Sequence, residues 1–336
     1  MKEQEGKEVQ VIINPISGVG SKRKIPKMIQ EMYRDTGCHV NVSFTDYAGH
    51  ASVLTKEALA CGVKIILAVG GDGTVNEVAR SMLYTDAVLG IIPKGSGNGL
   101  ARDLHIPMDV KKALELIMKG HVTTIDCGKA NDRVFFCTCG VGFDAAVSEK
   151  FATERRRGSL TYLKNMIEEY LSYEPELYEI LINDQAIQEK AFLVACANAS
   201  QYGNNAYIAP HADIKDGCMD VTILAPFTPL DVAPIAIQLF TRQLDKNSKI
   251  KTIKAKQVTI VRQKPGIMHL DGEPVMADDR IDVRIIPQAL NVYTPEKVSL
   301  VKEVHQFFEE ATRFFDNKLS FLTLWDKKIT SSDKKR

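Results

Sequence analysis

The sequence predicts an α/β plus β fold, in which an N-terminal parallel α/β domain precedes a C-terminal β-sandwich domain. Strand-like and helix-like patterns alternate through the first third of the chain, whereas short apolar runs separated by turn residues dominate beyond about residue 120. The length of 336 residues also suits two domains better than one. We therefore divide the chain into residues 1–125, residues 126–290, and a C-terminal return segment with a tail, residues 291–336.

The first domain begins with a short apolar run at residues 9–13, which ends in the turn signal Asn14-Pro15. Apolar residues then recur at helical spacing from Ile25 to Tyr33, and Gly37 supplies a helix C-cap. This alternation repeats along the domain, and such strand-helix units indicate a parallel sheet with helices on its faces. Further strands are predicted near residues 39–44, 64–69 and 88–92, and helices begin near residues 51, 75 and 99.

The predicted strands of the second domain are short, and turn residues separate them. Asn183-Asp184 stands where a hairpin turn would join two strands. Two helical stretches interrupt the series, at about residues 159–172 and 230–240. The pattern is typical of a mostly antiparallel β domain. Its predicted strands cover residues 133–138, 177–182, 192–197, 220–224, 257–261, 266–270 and 280–286.

The tail from residue 298 is predicted to form a long amphipathic helix, since its apolar residues recur at helical spacing with charged residues between them. Its phenylalanines are too costly to leave in water. The first domain, a second subunit in a homodimer, or a bilayer must therefore cover them, and residues 327–336 supply positive charge for anionic lipid. The apolar positions are Val301, Val304, Phe307, Phe308, Ala311, Phe314 and Phe315.

The composition is that of an ordinary globular protein, with 45% hydrophobic and 25% charged residues. A formal net charge of +1 argues against a protein built for nucleic-acid binding. The seven cysteines form no C-x-x-C pair and no zinc-like spacing, which favours free thiols in a reducing compartment. There is neither a signal-peptide pattern nor an apolar stretch of membrane-spanning length. We therefore expect a cytoplasmic protein that meets a membrane, if at all, from the side.

Three loops rich in small residues follow predicted strands, at residues 14–18, 70–77 and 93–98. They match neither the Walker A motif nor the dinucleotide fingerprint. One such loop is equally typical of a plain tight turn, but three at one sheet edge favour binding of a polyphosphate. A carboxylate at Asp72, between glycines, would repel phosphates unless a metal ion lay between them. Asp72 is therefore predicted to belong to a Mg²⁺ network.

The motifs resemble those of the diacylglycerol kinase catalytic-domain family, which includes sphingosine kinases, ceramide kinases and small soluble bacterial lipid kinases. The motif G-G-D-G alone would not suffice, because NAD kinases and phosphofructokinases share it. The resemblance implies an ATP- and Mg²⁺-dependent lipid kinase that acts at a membrane surface in phospholipid metabolism. The matching motifs are N-P-x-S-G at 14–18, G-G-D-G-T-x-N-E at 70–77, P-x-G-S-G-N-x-L-A-R at 93–102, G-x-G-F-D-A at 140–145, a segment at 209–220, and D-G-E at 271–273.

The resemblance also implies roles for individual residues. Glu273 matches the family's proton acceptor, with Asp271 beside it, and a positioned base is what phosphoryl transfer to a hydroxyl requires. Together with Asp72 these are the predicted catalytic residues. The predicted metal site consists of the Asp216 carboxylate with the backbone carbonyls of Asp213 and Cys218, and Asp126 is the carboxylate that joins this network. The residues expected to line the ATP pocket are Asn14, Pro15, Ile16, Ser17, Gly18, Thr45, Gly70, Gly71, Asp72, Gly73, Thr74, Val75, Asn76 and Ser96.

The motifs indicate phosphoryl transfer more clearly than they indicate which lipid accepts the phosphate. Where many bacterial diacylglycerol kinases carry G-T-x-N-D-F, this chain has G-S-G-N-G-L at residues 95–100, which looks closer to sphingosine and ceramide kinases. A sphingoid-base kinase is therefore an alternative. An NAD kinase is a more distant one, and a catalytically silent lipid-binding regulator is disfavoured because Asp72, Asp216 and Glu273 are all present.

Two further features have competing interpretations. His50 is more typical of the first residue of a helix than of a catalyst. The basic run at residues 155–157 resembles a family segment near the lipid entrance, and contact with anionic headgroups is as consistent with it as a solvated turn.

Overall fold

A computed structural model describes residues 7–18, 24–153 and 173–296. The predicted tail helix, the predicted helix at residues 159–172 and the basic run at residues 155–157 lie outside the described residues. Within those residues, no helix combines the length and the apolar character that crossing a membrane requires.

The first domain contains a parallel sheet of four strands in the order β2-β1-β3-β4. Each predicted strand of this domain is present, and helices connect successive strands. The strands are β1 (Glu8–Ile13), β2 (His39–Phe44), β3 (Ile65–Gly70) and β4 (Val88–Pro93). The helices are α1 (Ile25–Tyr33), α2 (His50–Ala60), α3 (Asp72–Met82), α4 (Gly99–Asp103) and α5 (Val110–Lys119).

Both faces of this sheet are covered, which explains why β3 reads as a continuous apolar run. Ile65 and Leu67 pack on one face with Ile29 of α1. Ile66, the residue between them, packs on the opposite face with Val78 of α3. The alternation of side chains along a strand therefore divides this core into two layers.

The second domain consists of two packed sheets. A six-stranded sheet has the order β12-β11-β10-β7-β14-β15. The facing strands, β5, β6, β8, β9, β13 and β16, continue the parallel sheet of the first domain, and together they form one ten-stranded sheet within the described residues. Apolar residues from both fill the space between them, such as Cys196 and Met268 from one and Tyr178 and Val283 from the other. This sandwich confirms the predicted fold class.

The strands of this domain are β5 (Val122–Ala130), β6 (Arg133–Phe135), β7 (Thr138–Gly142), β8 (Glu176–Ile182), β9 (Gln185–Ala191), β10 (Leu193–Ala197), β11 (Met219–Leu224), β12 (Ile250–Ala255), β13 (Gln257–Arg262), β14 (Gly266–Leu270), β15 (Glu273–Ala277) and β16 (Arg280–Tyr293). Its helices are α6 (Phe143–Thr153) and α7 (Val232–Phe240). Asn183 and Asp184, with φ of 49° and 60°, form the turn between β8 and β9, as predicted.

The longest described strand, β16, belongs to both domains. Its first half pairs antiparallel with β13, and near its end Asn291 and Val292 pair parallel with Val88 and Leu89 of β4. The register along β5 shifts between Ile286 and Leu290, next to Pro287, so the strand passes through a bulge. The sequence pattern ended this strand at residue 286, because the proline interrupts the apolar run. The predicted divisions at residues 125 and 290 lie inside β5 and β16 and stay predictions.

Candidate active site

The carboxyl ends of β1, β3 and β4 lie side by side at one edge of the parallel sheet. The backbone N–H of Asn14 donates to the Val69 carbonyl at 3.1 Å, and that of Lys94 donates to the Gly70 carbonyl at 2.6 Å. The loops at residues 14–18, 70–77 and 93–98 therefore meet at this edge. Thr45, at the end of β2, is buried beside them and donates its N–H to the Ile13 carbonyl at 2.9 Å.

Glycines allow these loops to touch one another. Gly18 has a φ of +61°, and a Cβ added there would lie 1.7 Å from the Lys94 carbonyl oxygen. A Cβ on Gly71 would lie 3.1 Å from the Cα of Gly95, and a Cβ on Gly95 would lie 2.6 Å from the Cα of Gly71. The absence of side chains leaves backbone at the sheet edge, which suits close approach of phosphate oxygens.

The predicted ATP-pocket residues have different environments. Four of them are exposed in their loops, namely Pro15, Ile16, Gly18 and Ser96. The buried ones are Ser17, Gly70, Thr74, Val75 and Asn76, and the partly buried ones are Asn14, Gly71, Asp72 and Gly73. Asn14 Nδ2 donates to Thr74 Oγ1 at 3.1 Å, which joins the first loop to α3. Val75 packs in the core behind α3, so its backbone rather than its side chain is available to a ligand.

Asp72, the first residue of α3, joins two of the loops. Its Oδ1 accepts the N–H of Gly99 at 2.6 Å, and its Oδ2 accepts the N–H of Asn98 at 2.8 Å. Burial raises the pKa of Asp72, and these N–H donors oppose the rise. The Asp72 carboxylate thus caps the N-terminus of α4. Its predicted membership of a Mg²⁺ network stays a prediction, because these contacts already give the carboxylate a structural role.

Glu273, at the start of β15, is brought by the second domain to the N-terminal end of α3. A Cβ on Gly73 would lie 3.4 Å from Glu273 Oε1, and Arg80 Nη2 lies 4.0 Å from Glu273 Oε2. Burial raises the pKa of Glu273, the Arg80 guanidinium opposes the rise, and Asp271 reinforces it. A half-exposed carboxylate with a raised pKa beside the glycine loops has the position and the chemistry of a general base.

Asp271, predicted beside Glu273 among the catalytic residues, is anchored in the protein. Its Oδ1 accepts the N–H groups of Cys137 at 2.7 Å and Thr138 at 3.0 Å. Its Oδ2 accepts the N–H of Phe136 at 2.8 Å and the side-chain amide of Asn76 at 3.0 Å. Burial raises the pKa of Asp271, and the three backbone donors lower it. These contacts tie the Glu273 loop to β7 and to α3 of the first domain.

The predicted metal site is built around Asp216. Its Oδ1 accepts the N–H of Cys218 at 2.9 Å, and its Oδ2 accepts Lys254 Nζ at 2.5 Å. The carbonyl of Asp213 accepts the N–H of Asp216 at 3.2 Å, while the Asp126 carboxylate accepts backbone N–H groups of Gly217 and Gln288, each at 2.7 Å. Among the described residues, no group of three or more His, Cys, Asp or Glu side chains is arranged to hold a metal ion. Lys254 forms a salt bridge with Asp216, and the predicted ion site, which also uses the backbone carbonyls of Asp213 and Cys218, stays a prediction.

His50 is the first residue of α2, as predicted from the sequence. Its Nδ1 accepts the N–H of Asp46 at 3.0 Å, and its ring stacks on Tyr47 at a centroid distance of 4.5 Å. Arg80 and Lys254 were missed. Arg80 stands eight residues after Asp72, so helical spacing offered a signal for it. Lys254 lies on β12, a strand that the sequence pattern did not predict.

Comparisons with known proteins cover both domains. A family model described as the diacylglycerol kinase catalytic domain matches residues 8–130. A second, described as the YegS C-terminal NAD kinase beta sandwich-like domain, matches residues 137–294. A probable lipid kinase YegS-like of Enterobacter sp. (strain 638) is 27% identical over 276 residues, which cover 80% of this chain and 91% of that protein.

Solved structures share the fold. One described as a diacylglycerol kinase from Bacillus anthracis str. Sterne has a TM-score of 0.71 and 21% identity, and the match covers 87% of this chain and 98% of that one. An NAD kinase from Archaeoglobus fulgidus, in complex with ATP, has a TM-score of 0.51 and 12% identity, with 90% and 98% covered. At these identities the structures support the fold alone.

Proposed function

The chain belongs to the diacylglycerol kinase catalytic-domain family, and we propose that it transfers the γ-phosphate of ATP to a hydroxyl group of diacylglycerol or a related lipid. Family membership makes the protein a lipid kinase. One observation supports the proposed phosphate transfer from ATP to the lipid hydroxyl. The carboxylate of Glu273, from the second domain, lies at the N-terminal end of α3, where the glycine loops of the first domain meet.

ATP is proposed to lie with its phosphates against the loops at residues 14–18 and 70–76 and near Ser96. The backbone of these loops leaves room for phosphate oxygens, and the N-terminus of α3 supplies N–H groups and the positive end of a helix dipole. Kinases take ATP as its magnesium complex, so the ion is proposed to enter the site with the substrate.

The lipid hydroxyl would approach Glu273 from the cleft. The Glu273 carboxylate accepts the hydroxyl proton as the bond between the lipid oxygen and the γ-phosphorus forms. The bond from the γ-phosphorus to its bridging oxygen breaks, and the electron pair leaves with ADP. The products are ADP and a phosphorylated lipid, a precursor class for phospholipid synthesis. Because the acceptor resides in a membrane, we propose a cytoplasmic enzyme that works peripherally at the membrane surface.

The acceptor is proposed to be diacylglycerol, with a sphingoid base as the alternative. The G-S-G-N loop is the basis for that alternative, and its asparagine is held by hydrogen bonds within the loop. Asn98 Oδ1 accepts the N–H of Gly95 at 2.8 Å, and Asn98 Nδ2 donates to the Gly95 carbonyl at 2.9 Å. NAD remains a more distant alternative acceptor, supported by the fold shared with an NAD kinase.

The test combines an acceptor panel with one substitution. The full-length protein is incubated with radiolabelled ATP and Mg²⁺, and with vesicles of diacylglycerol, monoacylglycerol, sphingoid base or ceramide, or with soluble NAD. We expect label in diacylglycerol or another lipid. Glu273→Gln should lower kcat by roughly 100-fold or more while ATP affinity stays unchanged, because the glutamine cannot accept the proton.

Glu57→Gln, on the exposed face of α2, is the matched control and should behave like the unsubstituted enzyme. Label in NAD rather than in any lipid would overturn the proposed acceptor class. Turnover of Glu273→Gln close to that of the control would remove Glu273 from the mechanism.

A further inference from the structure

Beneath the Glu273 loop lies a buried histidine–carboxylate pair that the proposed reaction does not use. His269, on β14, is 1% exposed, and its Nε2 lies 3.0 Å from Asp144 Oδ2. The hydroxyl of Tyr202 donates to the same oxygen at 2.9 Å, and the Tyr202 ring meets the His269 ring edge-on at a centroid distance of 5.7 Å. The three side chains form one network, which we call the His269 network.

The contacts of His269 define its tautomer. The backbone N–H of Gly272 points at His269 Nδ1 over 3.4 Å, so Nδ1 is an acceptor and carries no proton. The ring proton is then on Nε2, which donates to Asp144. Asp144 Oδ1 accepts the N–H of Ala145 at 2.8 Å, so the carboxylate is held by donors on both oxygens. The histidine therefore connects a fixed carboxylate to the residue just before Glu273.

The sequence motif at residues 140–145 makes room for this pair. A Cβ added to Gly140 would lie 2.5 Å from Asp144 Oδ2 and 2.9 Å from His269 Nε2. Only a residue without a side chain leaves both groups in place. The contacts of Gly140 and Asp144 with His269, rather than contact with a substrate, therefore explain why these two residue types occur in the motif.

Tyr202 extends the network to the first domain. A Cβ on Gly99 would lie 3.1 Å from the Tyr202 carbonyl oxygen, so the two backbones are close. The N–H of Asn204 donates to the Gly97 carbonyl at 3.1 Å, and Arg102 Nη1 donates to Asn205 Oδ1 at 3.3 Å. A chain of contacts therefore runs from the loop at residues 93–98, through Tyr202, Asp144 and His269, to the Glu273 loop.

We propose that His269 and Asp144 are positioning residues that hold the Glu273 loop in register with the loop at residues 93–98. The proposal rests on the proposed function of Glu273 as the base. The Gly272 N–H, held by His269 Nδ1, fixes the turn from which the Glu273 side chain projects. Loss of that acceptor lets the turn shift, and misplacement of a catalytic group by about 1 Å can cost on the order of 100-fold in rate.

Two substitutions separate the two hydrogen bonds of His269. His269→Asn retains an acceptor near the position of Nδ1 and loses the donor to Asp144, whereas His269→Gln retains the donor and loses the acceptor. We expect His269→Gln to lower kcat by roughly 10- to 100-fold with the KM for ATP unchanged, and His269→Asn to retain more activity. His211→Gln is the control, because the His211–Asp245 pair has the same chemistry at 3.3 Å on an exposed surface.

A measurement without turnover completes the test. Long-range ¹H–¹⁵N correlation spectra of the full-length protein, labelled at its histidines, report the tautomer of each ring. His269→Asn assigns the signal, which we expect to be that of a neutral ring protonated at Nε2.

A ring protonated at Nδ1, or at both nitrogens, in the unsubstituted protein would overturn the proposal. So would His269→Gln turning over as fast as the His211→Gln control. Failure of the proposed function would give a different result, because no variant would then label any lipid. The histidine spectra would still test the contacts of His269.

Discussion

The two sides of the candidate site are constructed in opposite ways. On the first-domain side, Gly18, Gly71 and Gly95 shape the loops by lacking side chains, and backbone lines the sheet edge. On the second-domain side, Glu273 is placed by side chains that are present and buried, chiefly Asp271 and His269. Added atoms should therefore damage the first-domain side, whereas loss of hydrogen-bond partners should damage the second-domain side.

Asp271→Ala should have the largest effect. It leaves the N–H groups of Phe136, Cys137 and Thr138 and the amide of Asn76 without their shared acceptor in a buried place. The free energy of unfolding should fall by at least about 3 kcal/mol, as measured by urea denaturation. Asp132→Ala, at a fully exposed carboxylate, is the control. A loss no larger than that of the control would contradict the anchoring role of Asp271.

Gly71→Val should weaken ATP binding, on the order of 100-fold, with only a small loss of stability. The added side chain meets the backbone of Gly95 and occupies the space that a phosphate needs. Calorimetric titration with magnesium ATP measures the affinity, and a thermal melt checks the fold. Ala60→Val, at the exposed end of α2, adds the same bulk elsewhere. Equal ATP affinities for the two variants would mean that this loop does not hold the nucleotide.

Arg80→Met should change the pH dependence of kcat, because the Arg80 guanidinium acts on the pKa of the Glu273 carboxyl. Glu273 acts as a base only when ionised. Burial raises its pKa and Arg80 opposes the rise, so removal of Arg80 raises the pKa further. The acidic limb of the profile should therefore move to higher pH, and activity should be lost sooner as the pH falls. Arg80→Lys retains the positive charge and should move the limb less. An unshifted limb in Arg80→Met would exclude this electrostatic role.

Lys254→Met should have the smallest effect on kinase activity, and it tests whether Asp216 can bind a divalent metal ion. The hydrogen bond with Asp216 raises the pKa of Lys254, so it is positively charged and competes with any divalent ion. Its removal should make the melting temperature rise with added Mg²⁺ by a few degrees more than in the unsubstituted protein. Asp216→Asn combined with Lys254→Met should abolish that rise. Identical responses with and without Lys254 would leave Asp216 without a role in ion binding.

The same contrast explains what the sequence could reveal. The alternation in the first domain, the three glycine loops and Glu273 were predictable, because each follows from local pattern or from a contiguous motif. Long-range contacts were not. Asp271 accepts hydrogen bonds from residues more than 130 positions earlier in the chain, and His269 meets Asp144 across a separation of 125. No local periodicity encodes such pairs, and the bulge at Pro287 concealed the second half of β16 for a similar reason.

The shared strand β16 has a consequence for how the protein is made. A ribosome releases β4 early, yet the strand that pairs with its outer edge, through Asn291 and Val292, emerges almost at the end of the described chain. Until then β4 presents an apolar row with unpaired backbone groups, which is the kind of edge that joins other chains. Nascent and truncated forms of the first domain should therefore depend on chaperones and aggregate when expressed alone.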